Sequence, residues 1–209
     1  MKRKEFFNNW SQLHGGAEVK GVIQLWLTIS YFICWPLVKL RISPNLLSIA
    51  SPIVGLFFYL EIDSHWSIFL LVFSLLLDGI DGSIAILTKR TSKFGALLDG
   101  VMDRVTEFFW ALAFIQIGGS ALIVVAASVF AYGQEYLRAR SGGLGISEVL
   151  VVTIAERPVR ATLIFIPLVA RLFQLDLALF FAVLWSVMQI MSFIYLFLVL
   201  RSRLRQSPH

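Results

Sequence analysis

Cysteine and charge are what this sequence has least of. Its single cysteine, Cys34, sits in an apolar run, so no internal disulfide can form and no thiolate metal-ligand spacing exists. The three histidines, His14, His65 and His209, are scattered through the chain, and none has a metal-ligating or nucleophilic companion. Charged residues make up only 15% of the 209 residues and hydrophobic residues 58%, against about 25% and 45–50% in soluble domains. That balance argues against a soluble globular fold and for a single membrane domain. The opening MKRKEFFNNWSQLHGG is charged and polar, with no apolar core until about Val22, so a cleaved signal peptide is not expected and the N-terminus is expected in the cytoplasm. The glycine-rich Ser141-Gly142-Gly143-Leu144-Gly145 lacks the spacing and the lysine of a phosphate-binding loop and reads as a flexible cytoplasmic linker. No internal repeat or low-complexity tract stands out.

What is abundant is long apolar sequence. About 20 residues of helix are needed to cross ~30 Å of hydrocarbon, and six runs approach or exceed that length: Leu46 to Leu60, Trp66 to Leu87, Phe94 to Ile117, Ala121 to Leu137, Val159 to Phe173 and Leu175 to Leu200. The first and fifth are short. The stretch from Lys20 to Lys39 is ambiguous: it is apolar enough to span, but Gln24, Trp26, Tyr31 and Trp35 between flanking lysines suit a helix lying in the interface. The interfacial assignment leaves an even number of spans with both termini inside. The chain then divides into an N-terminal segment, residues 1–45, and a membrane domain, residues 46–205. Under this topology sixteen of the 18 Lys and Arg fall on the cytoplasmic side; Arg171 alone falls outside, and Arg104 lies within a span. That asymmetry sets the orientation. It also accounts for the net charge of +5 through anionic headgroups, so no nucleic-acid partner is expected.

One apolar hairpin carries four carboxylates. Asp78 and Asp81 are three residues apart and Asp99 and Asp103 four apart, so each pair shares one face of its helix. At ~1.5 Å of rise per residue, the four lie about 16, 12, 9 and 15 Å from the basic turn Lys89 to Lys93, and they can meet in one cluster. A carboxylate inside a bilayer costs several kcal/mol unless paired, coordinated or wet, so such a residue is a functional hypothesis by default. Bare like charges would repel and take up protons; divalent cations resolve the conflict. Oxygen-only ligands select Mg²⁺, Mn²⁺ or Ca²⁺ over zinc, and two such ions suit phosphoryl chemistry. Gly82, Ala85, Gly95 and Gly100 leave room for a helix or a ligand to approach.

The spacing Asp78-x-x-Asp81-Gly82-x-x-Ala85, then Gly95-x-x-x-Asp99-x-x-x-Asp103, closely resembles the signature of the CDP-alcohol phosphotransferases, integral membrane enzymes of phospholipid synthesis. Ile86 stands where that signature usually has Arg, with Lys89 and Arg90 one turn later. Ser43, Pro44, Asn45 and Ser48 look like the family's Pro-Asn-x-x-Thr/Ser element, which in relatives lies near the cytidine. The resemblance implies an all-α integral membrane protein with six transmembrane helices around a cytoplasm-facing polar cavity behind an N-terminal interfacial helix. It implies two Mg²⁺ or Mn²⁺ ions held by Asp78, Asp81, Asp99 and Asp103, with Asp103 as the base that deprotonates the acceptor hydroxyl. It places CDP against Asn45, Asp78, Asp81, Gly82, Ala85 and Gly95. The expected donor is CDP-diacylglycerol, the expected location the plasma membrane with the active site on the cytoplasmic side, and the expected state a homodimer, as is common among relatives.

Two basic elements are expected at the same cytoplasmic mouth, Arg138 and Arg140 in YLRAR and Arg157 and Arg160 in ERPVR. Arginine forks suit a phosphorylated alcohol. Asp103-Arg104, Tyr136 to Arg140 and Glu156 to Arg160 together are similar to the phosphatidylinositol-phosphate synthases, which implies inositol 1-phosphate as acceptor and these four arginines as its phosphate ligands. Glycerol 3-phosphate, serine and free inositol are the alternative acceptors. A cation transporter using the Asp cluster and a catalytically silent relative are the alternative classes.

Overall fold

The structure is a computed structural model that describes residues 1–13, 15–146 and 151–206; His14 and His209 lie outside them. Among the described residues every regular element is helical. In chain order the helices are α1 (Arg3–Leu13), α2 (Gly21–Lys39), α3 (Pro44–Leu60), α4 (Ser67–Leu87), α5 (Lys93–Gln116), α6 (Ala121–Gly143), α7 (Arg157–Ala170) and α8 (Ala178–Gln206), with a 3₁₀ turn at Arg171–Phe173. The turns follow from local chemistry. Pro44 opens α3 and Pro158 opens α7, where a missing N–H costs nothing. α2, α4 and the 3₁₀ turn close on Arg41, Lys89 and Gln174, each at a φ of 55–60°. At Lys89 the amides of Lys89 and Arg90 reach back to the carbonyls of Ile86 and Ala85 at 3.1 and 2.8 Å, a Schellman closure that satisfies the last carbonyls of the helix.

α4 and α8 are each long and apolar enough to cross a membrane, and α2 with α3 adds a third candidate if that pair is one broken span. α5 is interrupted by Lys93, Asp99, Asp103, Arg104 and Glu107, and α7 has only 14 residues. α2 and α3 meet at a bend of 110°. α6 continues through Arg138, Arg140 and Gly143, so Ser141 to Gly143, expected in a linker, are helical.

The chain forms two compact units. The first comprises Met1–Phe57 and Phe69–Glu107. In it Cys34 of α2, Leu47 of α3 and Leu77, Ile80 and Ile84 of α4 form one apolar core. Phe6, Leu27 and Ile86 form another, which docks α1 beside α2 and α4, and the Tyr31 hydroxyl donates to the Met1 carbonyl at 3.0 Å. Buried hydroxyls tie α3 to its neighbours: Ser51 donates to the Ser74 carbonyl at 3.0 Å and lies 3.1 Å from the Thr106 hydroxyl.

The second unit comprises Phe58–Ile68 and Phe108–His209. Its centre is the pairing of α6 with α8: Gly133 leaves room for the Phe193 ring, 3.0 Å from where a β-carbon would sit, and Phe130 meets the same ring edge-on.

In the first unit, a β-carbon at Gly79 would lie 2.5 Å from Cζ2 of Trp26. Gly79→Ala is therefore expected to lower stability by about 1–3 kcal/mol through overpacking. Gly100→Ala, whose added methyl meets nothing within 4 Å, is expected to unfold like the wild type. Thermal unfolding in detergent measures both.

Candidate active site

The helical hairpin α4–α5 places one face of each helix toward the other, and the acidic residues occupy those faces. One carboxylate oxygen each from Asp78, Asp99 and Asp103 lies within 4.8 Å of the other two. These three residues are half-buried. Asp81 is buried and held differently. It accepts hydrogen bonds from the Ser48 hydroxyl and from the Gly82 amide, and it interacts with the side chains of Asp99 and Asp103. All four carboxylates thus belong to one electrostatic cluster, with three converging as a ligand set and the fourth anchored to α3. Arg104 lies 3.5 Å from Asp103 and 3.7 Å from Glu107, a partial counter-charge.

Three clustered oxygens from ionisable groups, with no nitrogen or sulfur donor among them, fit a hard divalent cation. Asp78, Asp99 and Asp103 would hold it directly, and Asp81 completes an acidic wall.

Beside the cluster is a cavity of about 480 Å³ whose lining includes Pro44, Asn45, Asp81, Gly82, Ala85 and Asp99 together with Arg90, Ser92 and Lys93. A lining that holds both carboxylates and cations suits an anionic group bridged through a metal ion. Gly95 also lines it: a β-carbon there would stand 3.1 Å from the Ser92 hydroxyl and 3.3 Å from Asn45 Oδ1, so glycine lets the Asn45 amide approach α5. A β-carbon on Gly82 would meet nothing within 4 Å and would project into open space.

The arginines form a separate constellation in the second unit. Arg138 forks onto both oxygens of Glu156, with one contact at 2.9 Å, and also reaches Glu135 at 3.3 Å and the Val151 carbonyl at 3.4 Å. Arg160 is 2% exposed and donates to the Ala155 carbonyl at 2.8 Å, with Glu135 at 3.7 Å. Arg157 lies over the Trp110 ring at 5.3 Å, a cation–π contact. Arg140 is exposed, as is His65.

Residue spacing alone did not reveal the partners of these groups. The bond from Ser48 to Asp81 joins residues 33 apart in sequence, and no spacing marks Glu135 and Glu156 as partners of the arginines. The only signal for the latter was a Glu or Gln standing in an apolar helix, as Gln134, Glu135 and Gln189 do.

A model of the CDP-alcohol phosphatidyltransferase family matches residues 41–200. The chain belongs to the CDP-alcohol phosphatidyltransferase family. Among curated relatives, an archaetidylinositol phosphate synthase from Aeropyrum pernix is 35% identical over 144 residues, 66% of this chain and 74% of the relative. Another from Pyrococcus horikoshii is 35% identical over 136 residues, 62% of this chain and 71% of the relative. A phosphatidylinositol phosphate synthase from Streptomyces avermitilis is 33% identical over 135 residues, 59% of this chain and 55% of the relative. This CDP-alcohol phosphatidyltransferase is thus a transferase of phospholipid synthesis, and its Asp cluster is consistent with the family's dependence on a divalent metal.

Groups that orient metal ligands usually matter about 10–100-fold in metal affinity or activity. Ser48→Ala is accordingly expected to raise the Mg²⁺ or Mn²⁺ concentration for half-maximal activity by about 10-fold or more. Ser51→Ala, whose hydroxyl meets Ser74 and Thr106 rather than a carboxylate, is expected to leave it unchanged. A metal titration of CMP release distinguishes the two.

Proposed function

We propose that this transferase moves the phosphatidyl group of CDP-diacylglycerol to the hydroxyl of inositol 1-phosphate, releasing CMP and forming phosphatidylinositol phosphate. The observation that carries the reading is the convergence of Asp78, Asp99 and Asp103 beside a cavity lined by acidic and basic groups, in a chain whose relatives include two archaetidylinositol phosphate synthases and a phosphatidylinositol phosphate synthase.

CDP occupies the cavity against Asn45, Asp78, Asp81, Gly82, Ala85 and Gly95. The open space over Gly82 leaves room for it, and Arg90 and Lys93 face its negative charge. Asp78, Asp81, Asp99 and Asp103 hold two Mg²⁺ or Mn²⁺ ions, which when bound supply the positive charge that a diphosphate and a departing phosphate need. Asp103 accepts the proton of the acceptor hydroxyl as that oxygen bonds to the phosphorus carrying diacylglycerol. The bond from this phosphorus to the bridging oxygen breaks, and CMP leaves with both electrons of that bond. Arg138, Arg140, Arg157 and Arg160 bind the phosphate of the acceptor through their positive charge.

The protein carries six spans in the plasma membrane with its cavity on the cytoplasmic side, and it works as a homodimer. Residues 1–45 form an N-terminal segment with an interfacial helix, and residues 46–205 the membrane domain. The 110° bend between α2 and α3 supports a helix lying along the interface before the first span. The cluster of Arg201, Arg203 and Arg205 at the end of α8 supports a cytoplasmic C-terminus.

Purified protein with CDP-diacylglycerol, Mg²⁺ or Mn²⁺ and a panel of inositol 1-phosphate, glycerol 3-phosphate, serine and free inositol tests the reading. CMP release is expected with inositol 1-phosphate above the others, to vanish with chelator and to return with added metal. Release with none of the four rejects the enzyme; preference for another acceptor rejects the inositol phosphate assignment. Asp103→Asn keeps the shape and deletes the base, and is expected to cut turnover by about 10²–10⁴-fold while CDP-diacylglycerol still binds, as measured by equilibrium binding.

A further inference from the structure

A line of buried polar groups runs through the second unit and belongs to no step of the reaction. Trp185 Nε1 donates to Gln189 Oε1 at 3.4 Å, and Gln189 Nε2 donates to Gln134 Oε1 at 2.9 Å. Gln134 Nε2 in turn donates to the Thr153 hydroxyl at 3.2 Å. Thr153 then gives two hydrogen bonds to Glu156 Oε1, from its hydroxyl at 2.8 Å and from its amide at 2.7 Å. Gln134 and Gln189 are wholly buried, and Trp185 and Thr153 nearly so. Every donor in the series points the same way, toward one carboxylate.

That direction has a physical meaning. Hydrogen bonds arranged head to tail polarise one another in a low-dielectric interior, so the series acts as an extended donor to Glu156. Burial alone pushes the Glu156 carboxyl up, but the Arg138 guanidinium and the Thr153 amide and hydroxyl hold it below the usual carboxylate range. Glu156 is therefore ionised at neutral pH, and its charge fixes Arg138 by a two-oxygen fork.

The same short segment holds the other arginine. Ala155, next to Glu156, donates its amide to the Ser192 hydroxyl at 3.1 Å and accepts from Arg160 at 2.8 Å. Glu135 lies 3.3 Å from Arg138 and 3.7 Å from Arg160 and bridges the pair. Both Arg138 terminal nitrogens are already engaged, each with two protein acceptors. Arg138 thus enters acceptor binding as a fixed charge rather than as a fork that closes on the ligand.

We infer that Glu156 is the positioning residue of the acceptor site: held by the Gln189–Gln134–Thr153 series, it fixes Arg138 and the start of α7, so that a phosphate monoester meets arginines already in place. The inference rests on the acceptor reading above and adds to it the residues that set acceptor affinity without touching the acceptor.

Steady-state kinetics of the full-length enzyme in detergent, with each substrate varied separately, provide the test. Gln134→Leu and Thr153→Val are expected to raise the acceptor KM about three- to tenfold, the effect of one lost buried hydrogen bond. Glu156→Gln is expected to raise it about 10- to 100-fold, because a charged partner is lost. The KM for CDP-diacylglycerol is expected to stay within about twofold, and Thr153→Ser, which keeps the hydroxyl, to restore the acceptor KM. An acceptor KM that does not move while only the melting temperature falls, or two KM values that rise together, overturns the inference in favour of a purely structural network. Wild-type activity with a different alcohol overturns the inositol phosphate assignment alone, since the same KM comparison is then made with that alcohol. Inactivity of the wild type with every acceptor overturns both.

Discussion

Mutual repulsion among carboxylates withdrawn in part from water is the constraint around which the first unit is organised. Asp78, Asp81, Asp99 and Asp103 are half-buried or buried on two neighbouring helices, where each negative charge raises the cost of the next. Two devices meet that cost. Asp81 takes hydrogen bonds from a hydroxyl on α3 and from its neighbouring amide, while the oxygens of the other three face one another closely enough to share a cation. The division gives α3 a part in the site: without its Ser48 the most buried carboxylate, Asp81, would have one donor fewer.

The second unit handles the opposite charge in the opposite way. Arg138 and Arg160 are matched by Glu135 and Glu156 within the protein, so their positive charge is anchored before any anion arrives. A guanidinium locked in place loses little rotamer freedom when a ligand binds, the usual advantage of preorganisation. An acidic site that relies on an added cation and a basic site that carries its own counter-charges are two solutions to one dielectric problem.

The helices were largely legible in the sequence because apolar length is a strong signal. The expected runs from Trp66 to Leu87 and from Phe94 to Ile117 differ from α4 and α5 by only a residue at an end. α6 outran its expected end because Arg138 and Arg140 close the apolar run without breaking the helix, and glycines at 142 and 143 tolerate helical dihedrals. α1 was not foreseen, although Phe6, Phe7, Trp10 and Leu13 recur at helical spacing: the stretch is short and polar between them, and the packing of Phe6 against Leu27 and Ile86 is long-range. The acidic cluster was legible because spacings of three and four put its members on shared helix faces. Its support was not, since Ser48 and the Gln134–Gln189 pair act across 33 and 55 residues. Such distances carry no local pattern.

Chain order gives the cavity one more property. Its lining runs from Leu13 to Asp99, and the last of the four carboxylates is residue 103, whereas the arginine constellation begins only at Arg138 and ends at Arg160. Because synthesis proceeds from the N-terminus, the ribosome has delivered every one of these cavity-lining and acidic residues before it reaches Arg138. The carboxylate hairpin closes over a short loop, a contact type that forms quickly. All four carboxylates and the cavity lining therefore precede in synthesis every member of the arginine constellation.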